Sequence, residues 1–66
     1  MHFTITTDLR GDGHYVELGY AARIIASRHE VYAEWAREQL VGLEPGEARI
    51  FSSRMERDVT TVRREA

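Results

Sequence analysis

Apolar residues recur at a helical interval over residues 27–41, and this is the most regular hydrophobic pattern in the chain. One side of a 3.6-residue period is formed by Val31, Tyr32, Trp35, Ala36, Gln39 and Leu43. The other side is formed by Glu30, Glu34 and Glu38. The pattern predicts one amphipathic helix, with a core face that includes Tyr32 and Trp35 and an acidic face that is exposed to solvent.

The ends of this helix are marked by residues that favour caps. Ser27 is followed three positions later by Glu30, which is typical of a capping box and predicts that Ser27 caps the helix. Gly42 and the Glu-Pro-Gly segment at 44–46 favour a stop after residue 41. Residues 20–26 are ambiguous, because Ala and Arg favour an early helix start, whereas β-branched Ile24 and Ile25 favour a continuing strand. We expect the strand.

Alternation of apolar and polar residues predicts strands on both sides of the helix. Residues 2–7 alternate, with Phe3 and Ile5 on one face, and residues 14–20 resume the alternation after a Gly- and Asp-rich hairpin loop at 8–13. Residues 48–54 and 58–64 favour a third and a fourth strand. For residues 55–66, a short helix is the alternative, because Val59 and Val62 also lie at helical spacing.

These elements predict the order ββαββ within one small domain that covers residues 1–66. We expect an α+β fold of two layers, in which a single helix packs on an antiparallel sheet. A chain of 66 residues without cysteine buries a small core, so stability has to come from tight packing or from a homodimer.

Charge and composition restrict the functional classes. The net charge is −2, so no overall positive field attracts nucleic acid. All nine basic residues are Arg, a bias that GC-rich genomes produce and that indicates a bacterial or phage origin. The chain shows neither a signal-peptide pattern nor an apolar run that could span a membrane, so we expect a cytoplasmic protein.

Three groups of residues are candidates for binding a partner. On a helix, residues four apart lie about 6 Å from each other. This is close to the spacing of successive phosphates, so the acidic row could dock on a basic groove; an ordinary solvated face is the alternative. Tyr15 is expected to be exposed, because it points away from the Val16 face. The C-terminal arginines could contact phosphates, or could only protect an edge strand. The predicted partner-binding residues are Glu30, Glu34, Glu38, Tyr15, Arg54 and Arg57.

Catalytic and metal-binding patterns are missing from the sequence. No serine lies in a Gly-x-Ser-x-Gly turn, and no glycine-rich loop precedes a lysine. The three histidines lack the spacing of a helical metal site. We therefore predict no catalytic residue, no cofactor and no metal, and expect that the protein is not an enzyme.

The run from Ala26, Ser27 and Arg28 to the Leu-Glu-Pro-Gly-Glu segment at 43–47 is entered from a strand and left into a strand. This arrangement resembles many short phage and prophage proteins, and its size and acidic helix are similar to those of small phage anti-CRISPR proteins. Such proteins pack one helix on an antiparallel sheet and inhibit a CRISPR–Cas complex by binding it. The resemblance implies a phage-encoded inhibitor whose partner is a host protein or ribonucleoprotein.

Three functional hypotheses follow. The first is a non-enzymatic inhibitor or modulator that occupies a basic surface of a host complex through its acidic helix face. The second is a small nucleic-acid-binding module that uses the sheet and the C-terminal arginines, as in the arm-type DNA-binding domains of phage integrases, which the element order also resembles. The third is a structural or assembly subunit that acts as a homodimer. The charge balance favours the first and argues against direct nucleic-acid binding.

Overall fold

The computed structural model describes the backbone of residues 1–7, 10–52 and 59–66, and the side chains of the same residues except 10–12. Its elements in chain order are β1 (His2–Thr7), β2 (Arg10–Glu17), α1 (Leu18–His29), α2 (Ala33–Val41), β3 (Ala48–Ser52) and β4 (Val59–Arg64). The fold is α+β, with two helices and a four-stranded antiparallel sheet, as the class predicted from the sequence requires. The order is ββααββ, so the prediction of a single helix was wrong.

The sheet has the strand order β2-β1-β4-β3, which places the first and the last strand side by side at its centre. Phe3 pairs with Val16 and with Arg64, whereas Ile5 pairs with Val62. Successive side chains of a strand point to opposite faces, so alternate residues of both central strands meet the helices. The fourth strand is confirmed over Val59–Arg64, and the helical alternative is excluded for those residues.

The segment that we expected to continue the second strand forms α1 instead. β2 ends at Glu17, and the helix begins at Leu18. Ala21, Ala22 and Ile25 are buried on one side of this helix. Burial of that side against the sheet outweighs the β-propensity of the two isoleucines, because propensity is weak compared with tertiary packing.

The two helices are separated by a break at residues 30–32. Glu30 adopts a left-handed conformation, with φ 52° and ψ 46°, and Tyr32 is extended before α2 begins at Ala33. Ser27 lies inside α1, two residues before its end, so the prediction that Ser27 caps a helix was wrong. Ser and Glu at this spacing are also compatible with the last turns of a helix, which is why the motif misled.

The hydrophobic core lies between the helices and one face of the sheet. It is formed by Phe3, Ile5, Ala21, Ala22, Ile25, Ala36, Leu40, Leu43, Phe51 and Val62. Trp35 and Tyr32 are not part of it, since they are 44% and 85% exposed, so the prediction that both are core residues was wrong. The break rotates α2 relative to α1, and Ala36 and Leu40 become its buried side.

The turn that connects α2 to β3 is held by two arginines of β4. Arg63 donates from Nη1 to the carbonyl oxygen of Gly46 at 2.8 Å, and Arg64 donates from Nη1 to the carbonyl oxygen of Leu43 at 2.7 Å. Gly46 has φ 88°, a conformation that favours glycine. These contacts keep Leu43 buried beneath the end of α2.

Candidate functional site

Two exposed aromatic residues and two exposed glutamates lie on α2 or directly before it. We call the set Tyr32, Glu34, Trp35 and Glu38 the α2 patch, and all four are exposed. Ala36 and Leu40 fix the rotation of the helix by packing into the core. At 3.6 residues per turn, the two glutamates then point away from the core, and Trp35 lies on a flank.

Trp35 is held in place although nearly half of it is exposed. Its ring meets the ring of Phe51 edge-on, with centroids 6.2 Å apart and an interplanar angle of 80°. Phe51 is buried in β3 and also lies 6.4 Å from the His29 ring. Edge-to-face pairing of this kind is favourable, so Trp35 presents a fixed apolar surface to solvent.

The acidic part of the patch is smaller than the row predicted from the sequence. Glu34 and Glu38 are one turn apart on α2, as expected. Glu30 lies in the break before the helix, so the three carboxylates do not form one helical stripe, and that part of the prediction was wrong. Arg37 is the one basic residue of α2, which leaves the helix with an excess of negative charge.

A cleft of about 370 Å³ opens between α1 and the strands β1 and β2. Ile5, Val16 and Ile24 supply apolar walls, and His14 and Tyr20 are among its polar lining residues. The cleft combines apolar surface with a few polar groups, as small-ligand sites do. The cleft is open, and none of its lining residues belongs to the α2 patch.

Beneath this layer, Thr60 is a fully buried polar residue. Arg28 donates from Nε to its hydroxyl oxygen at 3.1 Å, and Nε2 of His29 lies 2.8 Å from the same oxygen. A hydroxyl can accept from the guanidinium while it donates its own proton to a ring nitrogen. These contacts attach the end of α1 to β4, which is a structural role.

The structure does not bring Tyr15, another predicted partner-binding residue, to the α2 patch. Tyr15 is 62% exposed, as expected, and it stacks on His2 with ring centroids 4.9 Å apart. It pairs with Thr4, whose neighbours Phe3 and Ile5 face the helices, so Tyr15 lies on the opposite face of the sheet. Arg54 and Arg57 lie outside the described residues.

The described arginines of β3 and β4 are engaged within the chain. Arg49 donates to Oε1 of Gln39, and Arg63 and Arg64 hold the α2–β3 turn. Within the described part of the chain, no cluster of three or more His, Cys, Asp or Glu residues could hold a metal ion. Among those same residues, no helix combines the length and the apolar character that crossing a membrane requires.

Sequence reasoning missed Tyr32 and Trp35 as surface residues. The continuous helical period from 27 to 41 placed them on the core side, and no glycine or asparagine marks the left-handed turn at Glu30.

Comparisons with protein-family models, with curated proteins and with solved structures find no match to this chain.

Proposed function

We propose that this chain is a non-enzymatic protein-binding module that modulates a partner by docking the α2 patch on it. The observation that carries the proposal is the exposure of Tyr32 and Trp35 beside Glu34 and Glu38. Tyr and Trp are enriched among residues that dominate the free energy of protein association. In a domain whose core is so small, two exposed aromatic residues three positions apart at the start of α2 favour a binding surface.

The chemistry of the patch indicates the kind of partner. An apolar hollow on the partner would take the Tyr32 and Trp35 rings, and basic groups around it would face Glu34 and Glu38. Complementary charge raises the association rate and selects between partners. A basic surface of a host complex has these properties, and its inhibition by a phage-encoded chain is the form of the proposal that the sequence resemblance favours.

The hydrogen bonds of the arginines support protein binding over nucleic-acid binding. Arg49, Arg63 and Arg64 donate to groups of the chain itself, which reduces their availability to phosphates. On the sheet face away from the helices, Arg63 is accompanied by the acidic residue Glu17. A surface of mixed charge lacks the concentrated positive potential that phosphate binding uses.

The test begins with a photo-crosslinking residue at position 38, with position 23 of α1 as the matched site on the other helix. A partner that crosslinks from position 38 alone is then purified, and its affinity is measured for three variants. The double variant Tyr32→Ala/Trp35→Ala should bind at least about tenfold more weakly, because tenfold corresponds to only about 1.4 kcal/mol. Glu34→Gln/Glu38→Gln should lower the association rate and its salt dependence.

The charge-matched control is Glu17→Gln/Glu44→Gln, which removes two exposed carboxylates outside α2 and should leave the affinity unchanged. Equal affinities for all variants would refute the proposal. A separate titration with DNA and RNA at low and moderate salt distinguishes the nucleic-acid alternative. Tight binding that weakens steeply with salt would establish that alternative instead.

A further inference from the structure

The two outer strands of the sheet differ in how well they are protected from pairing with another chain. β2 includes Arg10, Asp12, His14 and Glu17 in its sequence, and its pairing with β1 has a register shift. Charges and bulges of this kind prevent edge-to-edge association. β3 carries neither proline nor a bulge in its pairing with β4, and its single charged residue is Arg49.

The backbone of β3 presents alternate residues to the outside. The amide of Arg64 donates to the carbonyl oxygen of Glu47 at 2.9 Å, which sets the phase of the antiparallel ladder. In such a ladder, hydrogen-bonded and non-hydrogen-bonded pairs alternate. Arg49 and Phe51 therefore direct their N–H and C=O groups to β4, whereas Ala48, Ile50 and Ser52 direct theirs away from the sheet.

The side chains along this edge are compatible with a close neighbour. Ala48, Ile50 and Ser52 are uncharged and lie exposed on the sheet face away from the helices, where Ile50 is 67% exposed. On the helix side, the charge of Arg49 is drawn over α2 by its hydrogen bond to Gln39. The edge therefore carries no charge on the face away from the helices. On the helix side, its one charged side chain is hydrogen-bonded within the chain.

We propose that a second copy of this chain pairs with β3, antiparallel, about a two-fold axis through Ile50. This register places Ile50 opposite itself and Ala48 opposite Ser52 of the second copy. All three residues that direct their backbone groups outward then form reciprocal hydrogen bonds, so the edge is complementary to itself. On the helix side, Arg49 lies opposite Phe51 of the second copy, so no two like charges face each other across the axis.

This pairing goes beyond the protein-binding function, because it concerns a different element of the molecule. A two-fold axis perpendicular to the sheet keeps the helices of both copies on one face of the joined sheet. The dimer therefore displays two α2 patches in the same direction. A partner with two basic sites at a matching distance would be bound more tightly than by one patch alone.

Crosslinking tests the register directly, because the chain contains no cysteine. In a hydrogen-bonded antiparallel pair, the Cα atoms lie about 5.5 Å apart, within the range that a disulfide bridges. The variant Ile50→Cys should form a disulfide-linked dimer under mild oxidation, whereas Tyr15→Cys on the other outer strand should stay monomeric. Linkage at position 15 alone, at both positions equally, or at neither would overturn the proposal.

Sedimentation equilibrium without any crosslink provides the second measurement. The native chain should dimerise with rising concentration, and Ile50→Lys should raise the dissociation constant at least tenfold, because two charges meet at the axis. The matched control Tyr15→Lys adds the same charge at the other edge and should dimerise like the native chain. Far-ultraviolet circular dichroism checks that each variant is folded. A native chain that remains monomeric, or equal dissociation constants for both variants, would overturn the proposal without affecting the test of the α2 patch.

Discussion

The two helices of this domain are close in length but have different roles. α1 lies on the sheet and contacts β1, β2 and β3, whereas α2 packs mainly against α1. α1 buries Ala21, Ala22 and Ile25, and the residues at its end hold Thr60. α2 buries only Ala36 and Leu40, and both Trp35 and the preceding Tyr32 are exposed. The comparison teaches that α1 connects the helical layer to the sheet, whereas the outer side of α2 can display a binding surface.

The largest loss of stability is expected for a substitution on the buried side of α1. Ile25 is fully buried, so Ile25→Ala should reduce the free energy of unfolding by roughly 2–5 kcal/mol through lost burial and the cavity that remains. Its neighbour Ile24 is only partly buried, and Ile24→Ala provides the matched control with a smaller loss. Urea unfolding followed by circular dichroism measures both. Equal losses would mean that the orientation of α1 described here is wrong.

The next largest loss is expected where the end of α1 contacts the sheet at Thr60. Thr60→Val removes the hydroxyl that Arg28 and His29 contact, and should cost about 1–3 kcal/mol because buried polar groups lose a partner. Thr61 is next along β4, on the opposite face and only partly buried, so Thr61→Val should have little effect. Thermal unfolding measures the stability of the two variants. A larger loss for Thr61→Val than for Thr60→Val would contradict the prediction.

A smaller effect is expected on α2. Trp35→Ala should cost about 1–2 kcal/mol, less than the roughly 3–5 kcal/mol typical of a buried aromatic residue, because nearly half of the ring is already exposed. Tyr32→Ala should change stability by no more than about 0.5 kcal/mol, as for other surface positions. Chemical denaturation of both variants tests this. A loss for Trp35→Ala as large as that for Ile25→Ala would assign α2 a structural role equal to that of α1.

The smallest effect has a diagnostic sign. Ser27 is exposed inside α1, where Ala has a higher helix propensity by about 0.5 kcal/mol. Ser27→Ala should therefore stabilise the domain slightly, whereas loss of a helix cap would destabilise it by about 1 kcal/mol. A measured decrease in stability would restore the boundary at Ser27 and remove the distinction between the two helices.

The two central strands were the part of the fold that the sequence predicted well, whereas β2 begins at Arg10, inside the loop predicted at 8–13. The alternation of Phe3 and Ile5 with threonines located β1 with its observed bounds, and the β-branched run from Val59 located β4. In both strands buried residues alternate with residues that are partly buried or exposed, so the local pattern carries the tertiary information. The prediction for residues 20–26 was wrong, because Ile24 and Ile25 have high β-propensity but lie in α1, whose packing on the sheet outweighs that propensity.

The α2 patch was harder to predict, since it depends on the break at residues 30–32, which no typical turn residue marks. A glutamate at positive φ is uncommon, and Glu30 has neither the side chain nor the neighbours that usually mark such a turn. Because a helix period accumulates along the chain, one misplaced break moved Tyr32 and Trp35 from the surface to the core. The exposure of Tyr15 was predicted correctly, because alternation within a strand depends only on adjacent residues.

The pairing of β1 with β4 also determines how the domain responds to force. His2 donates to the carbonyl oxygen of Ala66 at 3.1 Å, and Glu65 donates to the carbonyl oxygen of His2 at 2.8 Å. A load applied at residues 2 and 66 would pull two antiparallel strands apart from their adjoining ends. The ladder would then open one hydrogen bond at a time, like a zipper, instead of sharing the load among all its bonds. We expect a mechanically weak domain under this load, which single-molecule pulling can measure.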